Sequence, residues 1–194
     1  MATREIDLRR RHWLAGAAAI AGCSVMGGSV LAQNPQPTPA CGAGATPRQT
    51  EGPYFKPASP ERADLMEASM AGPALAVSGR VLTRDCRPVP RALIEIWQAD
   101  AGGEYDNRGF RLRGHVFTTP DGRYRFRTVV PGAYPGRTPH IHVKVQAPNR
   151  PVLTTQLYFP GDPGNARDRL FRPELLLGMA DAGTGAFDFV LDIA

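Results

Sequence analysis

Two histidines two residues apart, His140 and His142, carry the densest chemical information in the chain. If this stretch is a strand, both rings project from one face at neighbouring heights, because successive side chains alternate between faces. Ile141, Val143 and Val145 then take the opposite, core-facing side. Neither histidine is needed to fill the core. Imidazoles so spaced suit Zn, Cu, Fe or Mn equally, so spacing alone does not choose a metal. Surface histidines on a solvated strand are the plain alternative. Two tyrosines precede them: Tyr134, six residues before His140, and Tyr105, further upstream in a loop after an apolar run over residues 93–98; taken alone, each reads as an ordinary core or interface residue. A phenolate is a hard, strongly donating ligand, and two of them beside two imidazoles favour a ferric over a ferrous ion. A free phenol titrates near pH 10, so at neutral pH it yields its proton only to a Lewis-acidic cation.

The elements that must hold these side chains read as short strands. Leu75, Val77 and Val81 alternate with Ala76, Ser78 and Arg80, and Tyr124 and Phe126 alternate with Arg123, Arg125 and Arg127. Phe187, Phe189 and Leu191 repeat the pattern near the C-terminus. Period-two alternation marks half-buried strands, and Pro120-Asp121-Gly122 and Pro131-Gly132 supply turns between them. Gly 21 and Pro 19 in 194 residues disfavour a helical bundle. The expected fold is all-β: a single antiparallel β-sandwich with little helix, the one helical candidate being residues 60–70.

Composition narrows the classes. With 42% hydrophobic and 21% charged residues the chain can bury a core, and collagen, coiled coil and multi-pass membrane protein are excluded. The net charge of +5 falls to about +3 beyond Arg4, Arg9, Arg10 and Arg11 with Glu5 and Asp7, too little and too scattered to indicate nucleic acid.

Residues 1–32 read as an export signal. Arg10-Arg11 precede an uncharged stretch over residues 13–32 that contains four glycines and is only weakly apolar. The paired arginines favour the twin-arginine route, so a periplasmic or extracellular location is expected. The mature form then has no membrane span, unless the alternative box Ile20-Ala21-Gly22-Cys23 leaves a lipid anchor on Cys23. Residues 33–49 read as a linker or arm, and residues 50–194 as the catalytic sandwich. Export would leave Cys41 and Cys86 as the internal cysteine pair in an oxidising compartment, where a disulfide is expected. Without a CxxC spacing they do not suggest zinc.

Six ordered motifs carry a resemblance. They are Thr50-Glu51-Gly52-Pro53-Tyr54-Phe55, the run Glu95-Ile96-Trp97-Gln98 leading to Tyr105, Pro120-Asp121-Gly122-Arg123-Tyr124, Pro131-Gly132-Ala133-Tyr134-Pro135, Pro139-His140-Ile141-His142 and Thr155-Gln156-Leu157-Tyr158-Phe159. In this order and spacing the sequence resembles the intradiol ring-cleavage dioxygenases, the group containing protocatechuate 3,4-dioxygenase, over roughly residues 50–161. The resemblance implies that Tyr105, Tyr134, His140 and His142 ligate one non-haem Fe(III), with water or hydroxide completing the shell. It implies that Arg137 sits over the substrate ring, that Gln156 lines the same pocket, and that Gly52, Pro53 and Tyr54 lie near its mouth. It further implies a catechol and O2 as substrates, Tyr134 as the ligand that departs to act as base, Arg137 as the cation that stabilises negative charge, and a cis,cis-muconate-type dicarboxylate as product.

Two departures bear on substrate. Only five residues separate Tyr134 from His140, fewer than in the protocatechuate enzymes, so a wider entrance and bulkier catechols are expected. No motif supplies an arginine for a substrate carboxylate. A homodimer is expected, because sandwich enzymes of this kind often assemble through exposed strand surfaces. Two other classes are distinguished by the same residues. An exported binding module for carbohydrate or protein has no use for Tyr105 and Tyr134 beside the histidines. A zinc or copper site built on the histidines alone lacks a third ligand, because His115 is expected to face solvent.

Overall fold

The computed structural model describes residues 44–194. The segment expected to be an export signal, Cys23 and Cys41 lie outside the described residues, and so does half of the expected Cys41–Cys86 pair; Cys86 itself is exposed in the turn after the first strand.

Among the described residues, nine strands make two sheets. In chain order they are β1 (Ala74–Leu82), β2 (Leu93–Trp97), β3 (Arg113–Phe117), β4 (Arg123–Val129), β5 (His140–Gln146), β6 (Leu153–Tyr158), β7 (Gly178–Asp181), β8 (Thr184–Ala186) and β9 (Phe189–Val190). One sheet runs β4-β1-β8-β7 with β9 also paired to β1, and the other runs β3-β2-β5-β6. The second sheet is antiparallel throughout. The first mixes an antiparallel β1–β4 pair with parallel pairings of β1 to β8 and β9. The only helical element among the described residues is a 3-10 turn, Pro173–Leu175.

Alternation fixes which faces meet. Leu75, Val77, Val81, Tyr124 and Phe126 from the first sheet pack against Ile94, Ile96, Ile141, Val143, Val145 and Leu157 from the second, with Phe187 and Phe189 closing one end. Each such side chain, taken fully out of water, contributes about 1.5–3 kcal/mol. The buried Tyr124 hydroxyl donates to the Phe187 carbonyl at 2.7 Å, so the core carries a phenol without an orphaned polar group. Arg123, Arg125 and Arg127 point outward and are exposed, as the pattern required.

The helix expected over residues 60–70 does not form. Instead this stretch runs along the open edges of both sheets. Arg62 N donates to His115 O at 3.0 Å and His115 N to Pro60 O at 3.0 Å, on β3. Further on, Leu65 N donates to Arg127 O at 2.8 Å and Arg127 N to Ala63 O at 2.7 Å, on β4. An isolated helix this short is marginal in water, whereas unpaired edge strands offer ready backbone partners. Fully buried Leu65 anchors the strap in the core. The end of the N-terminal arm is also fastened: Thr46 N donates to Val190 O at 2.9 Å and Gln49 N to Thr154 O at 2.8 Å.

Candidate metal centre

The site is built on the outer face of β5. Cross-strand register places Trp97 of β2 and Gln156 of β6 directly opposite His142, and Tyr158 opposite His140. Residues in register share a face. The inward neighbours Ile141 and Val143 fill the core, so the histidine face is free for loops to cover. The covering is thorough: His140 and His142 are 2% and 1% exposed, and are not surface histidines.

His140 Nδ1 lies 2.7 Å from the Thr138 carbonyl. A carbonyl only accepts, so the proton is on Nδ1 and the Nε2 lone pair faces the site. The two Nε2 atoms are 3.2 Å apart, and the Tyr134 hydroxyl is 3.4 Å from His140 Nε2. Burial, then the Arg137 charge, pushes His140 down to about 4; burial and its neighbour His140 push His142 well below its ordinary value. Both rings are therefore neutral at pH 7, as ligation requires.

Tyr105 completes the cluster. Its ring lies 5.8 Å from that of Tyr134 and 6.3 Å from that of His142. Its hydroxyl is buried with no hydrogen-bond partner, an unusual state that asks for an explanation. Burial, then proximity to Tyr134, raises its pKa above the ordinary phenol value, so the phenol stays neutral without a nearby cation. A trivalent cation at the convergence point reverses that preference. The His140 Nε2 lone pair, the His142 imidazole beside it, one partnerless phenol and a second phenol in contact are donors that fit such an ion, and they are the four residues the family resemblance implies. Among the described residues no group of three or more His, Cys, Asp or Glu offers another site.

Trp97 stacks on His142 at 4.8 Å with the planes 7° apart, fixing the ring that has no partner at Nδ1. Gly52 has φ +71, and a Cβ there would sit 3.5 Å from His142 Cε1. The Gly52 backbone thus passes close over the His142 ring. Tyr54 stacks on Tyr105 at 4.3 Å and meets Tyr134 edge-on at 6.4 Å.

Arg137 Nη1 is 3.4 Å from the Tyr134 hydroxyl. Its other nitrogens are occupied: Nε donates to Asp168 Oδ2 at 2.9 Å, and Nη2 donates to Gln156 Oε1 and reaches the Tyr158 hydroxyl at 3.5 Å. Gln156 is oriented in turn by donating through Nε2 to Thr50 O at 3.0 Å. A cavity of about 380 Å³ opens beside Tyr134 and Arg137, with Arg167 on its wall.

His115 is half-buried instead of facing solvent, because the strap brings Ser59 Oγ within 3.2 Å of its Nδ1. It stands in the row of Glu95 and Lys144 and does not join the cluster. Sequence reading did not single out Asp168, Tyr158, Trp97 or Arg113. Trp97 was accessible from the alternation in β2. Arg113, 1% exposed, holds the Tyr54 carbonyl through Nη1 at 2.6 Å, and a charge so buried leaves no mark in a sequence pattern.

Comparison with known proteins identifies the family. The Dioxygenase family model matches residues 50–192. Catechol 1,2-dioxygenase 2 of Acinetobacter lwoffii is 35% identical over 146 residues, covering 62% of this chain and 53% of that one. The protocatechuate 3,4-dioxygenase beta chain of Burkholderia cepacia is 40% identical over 119 residues, covering 52% of this chain and 51% of that one. The chain thus spans about half the length of these curated relatives. Among solved structures, the dioxygenase domain of a dioxygenase–carbohydrate-binding protein fusion from Streptomyces sp. SirexAA-E is 58% identical, with a TM-score of 0.76 over 78% of this chain and 100% of that one. The family model covers well over half of the sequence, and the chain belongs to the intradiol ring-cleavage dioxygenase family.

Proposed function

We propose that the chain is a non-haem Fe(III)-dependent intradiol dioxygenase that opens the ring of a catechol with O2 to a cis,cis-muconate-type dicarboxylate. The observation that carries this reading is the convergence of two buried imidazole Nε2 atoms and two phenols, one of them beside the fixed Arg137 guanidinium. Tyr105, Tyr134, His140 and His142 would hold the ion. A ferric ion held there would supply Lewis-acid chemistry to a catechol, with no external reductant.

The chain's own residues account for the rest. Tyr134, once its own proton has been lost, would take a proton from a catechol hydroxyl at Oη and return to the neutral phenol beside Arg137 Nη1. Arg137 is held at Nε and Nη2, so its charge is aimed before substrate arrives and stabilises negative charge developing on the ring. Tyr54, stacked on Tyr105, presents an aromatic edge against which a flat ring is oriented. Gln156, tied through Nε2 to the Thr50 carbonyl, is held in place to accept from Arg137.

Relatives named for catechol, protocatechuate and hydroxyquinol support a catechol-type substrate. The five-residue Tyr134–His140 spacing supports substituted catechols. The paired arginines and weakly apolar stretch in residues 1–32 support export of the folded chain.

The test is a visible spectrum and a metal assay on one sample of purified chain. A broad tyrosinate-to-iron charge-transfer band at one iron per chain, shifted by anaerobic catechol, is expected. Oxygen uptake with a panel of catechols then ranks substrates. A chain that stays colourless after iron loading removes the tyrosines from the metal and refutes the reading.

A further inference from the structure

Asp168 lies in the loop after β6, 31 residues from Arg137 in sequence, and its side chain is 1% exposed. Its three contacts divide unequally. Oδ1 accepts from Leu170 N at 2.8 Å, a local contact that shapes its own loop. Oδ2 accepts from two donors on the other side of the site, Arg137 Nε at 2.9 Å and Thr138 N at 3.0 Å. The Thr138 carbonyl is the group that holds the His140 Nδ1 proton at 2.7 Å. One carboxylate oxygen therefore grips the side chain of residue 137 and the backbone of residue 138, and through them reaches both Tyr134 and His140.

We propose that Asp168 is a positioning residue that holds Arg137 against Tyr134 and, through Thr138, keeps His140 in the tautomer that leaves Nε2 free. This rests on the dioxygenase reading for its kinetic consequences, but not for its effect on His140. The carboxylate matters for its two acceptor oxygens. In Asp168→Asn one of them becomes an NH2 group, which faces either Arg137 Nε and Thr138 N or Leu170 N as donor against donor. Placed toward Leu170, the amide keeps an oxygen on Arg137 but loses the charge; turned the other way, it releases both Arg137 and Thr138. Partners that orient a ligand in this way are typically worth about 10–100-fold in affinity or activity.

The experiment is a double-mutant cycle on the full chain with a second readout on the metal-free protein. D168N is expected to lower kcat about 10–100-fold with a much smaller change in KM. In an Arg137→Gln background, the same substitution is expected to lower kcat by less than about 3-fold further, because residues acting as one unit are non-additive. Asn165→Ala, which loosens the same loop at Thr138 Oγ1 and Phe159 O without touching Arg137, is expected to lack this coupling. Ring-nitrogen NMR of the metal-free chain is expected to show His140 protonated at Nδ1 in the parent and a mixture of tautomers in D168N.

Equal losses in both backgrounds, or an unchanged His140 tautomer in D168N, overturn the proposal and leave Asp168 as a loop anchor. If D168N does not fold, Asp168→Ser keeps an acceptor for Leu170 while withdrawing charge from Arg137, and carries the same test. Failure of both to fold makes Asp168 a folding residue and overturns its positioning role. If the parent neither colours with iron nor consumes catechol, the dioxygenase reading fails, and the NMR arm still decides the effect on His140.

Discussion

Gly103→Ala tests whether the two tyrosine-bearing loops can meet when a side chain is placed at Gly103, one of two glycines at their contact. The loop before Tyr105 and the loop before Tyr134 are joined at Asp100 O, which accepts from Gly103 N at 3.0 Å and Gly132 N at 2.8 Å. Gly103 has φ +87, and a Cβ there would lie 2.4 Å from the Ala133 carbonyl oxygen. An ordinary carbon–oxygen contact is about 3.3 Å, so the loops must part by roughly 0.9 Å. Both sides are backbone, and no rotamer relieves the overlap. The left-handed conformation adds about 1–2 kcal/mol for a residue with a side chain, and forced overpacking about 1–3 kcal/mol. The expected loss is therefore about 2–5 kcal/mol. Gly161→Ala separates the two contributions, since Gly161 has φ +76 but nothing within 4 Å of its would-be Cβ; it should lose only about 1–2 kcal/mol. Urea unfolding of the three metal-free chains measures the difference. In the iron-loaded protein, a displacement near 1 Å at the Tyr105–Tyr134 pair should lower turnover about 100-fold. A Gly103→Ala chain as stable as Gly161→Ala and fully active refutes the reasoning.

Three further outcomes follow from the same geometry. Tyr105→Phe removes a buried hydroxyl that has no partner, so the metal-free chain should gain about 1 kcal/mol in urea while the iron-loaded chain loses tyrosinate absorbance; a metal-free loss in stability contradicts the orphaned state. For pH, His140 is lowered to about 4 in the folded chain against about 6.5 unfolded, so the unfolded state binds more protons between those values. Stability of the metal-free chain is then full above about pH 6.5 and falls by ~3 kcal/mol for His140 alone as pH drops to about 4, and a flat unfolding free energy across that window counts against buried neutral rings. Arg113→Met releases the Tyr54 carbonyl, held at 2.6 Å, so catechol KM should rise more than kcat falls; unchanged KM detaches Arg113 from the mouth.

Much of the fold was legible because alternation is a local property. Leu75 and Val77, Tyr124 and Phe126, and Ile141 through Val145 each declared a face, and those faces meet in the sandwich. Residues 60–70 misled for the converse reason: their local pattern permitted a helix, but the unpaired edges of β3 and β4 supplied their partners. A strap across two sheet edges has no signature in its own residues.

The candidate site divides in the same way. His140 and His142 share a face by the geometry of any strand, and the ordered tyrosine, arginine and glutamine motifs were readable through family resemblance. What the sequence by itself determined was the set of donors and the strand that carries two of them. Only the tertiary structure decided that the Tyr105 hydroxyl is buried without a partner, that Trp97 lies flat on His142, and that Asp168 reaches across 31 residues to Arg137. The physical reason is range. Side-chain direction along a strand is set by neighbouring backbone, whereas burial and partner choice are set by segments that arrive from elsewhere in the chain.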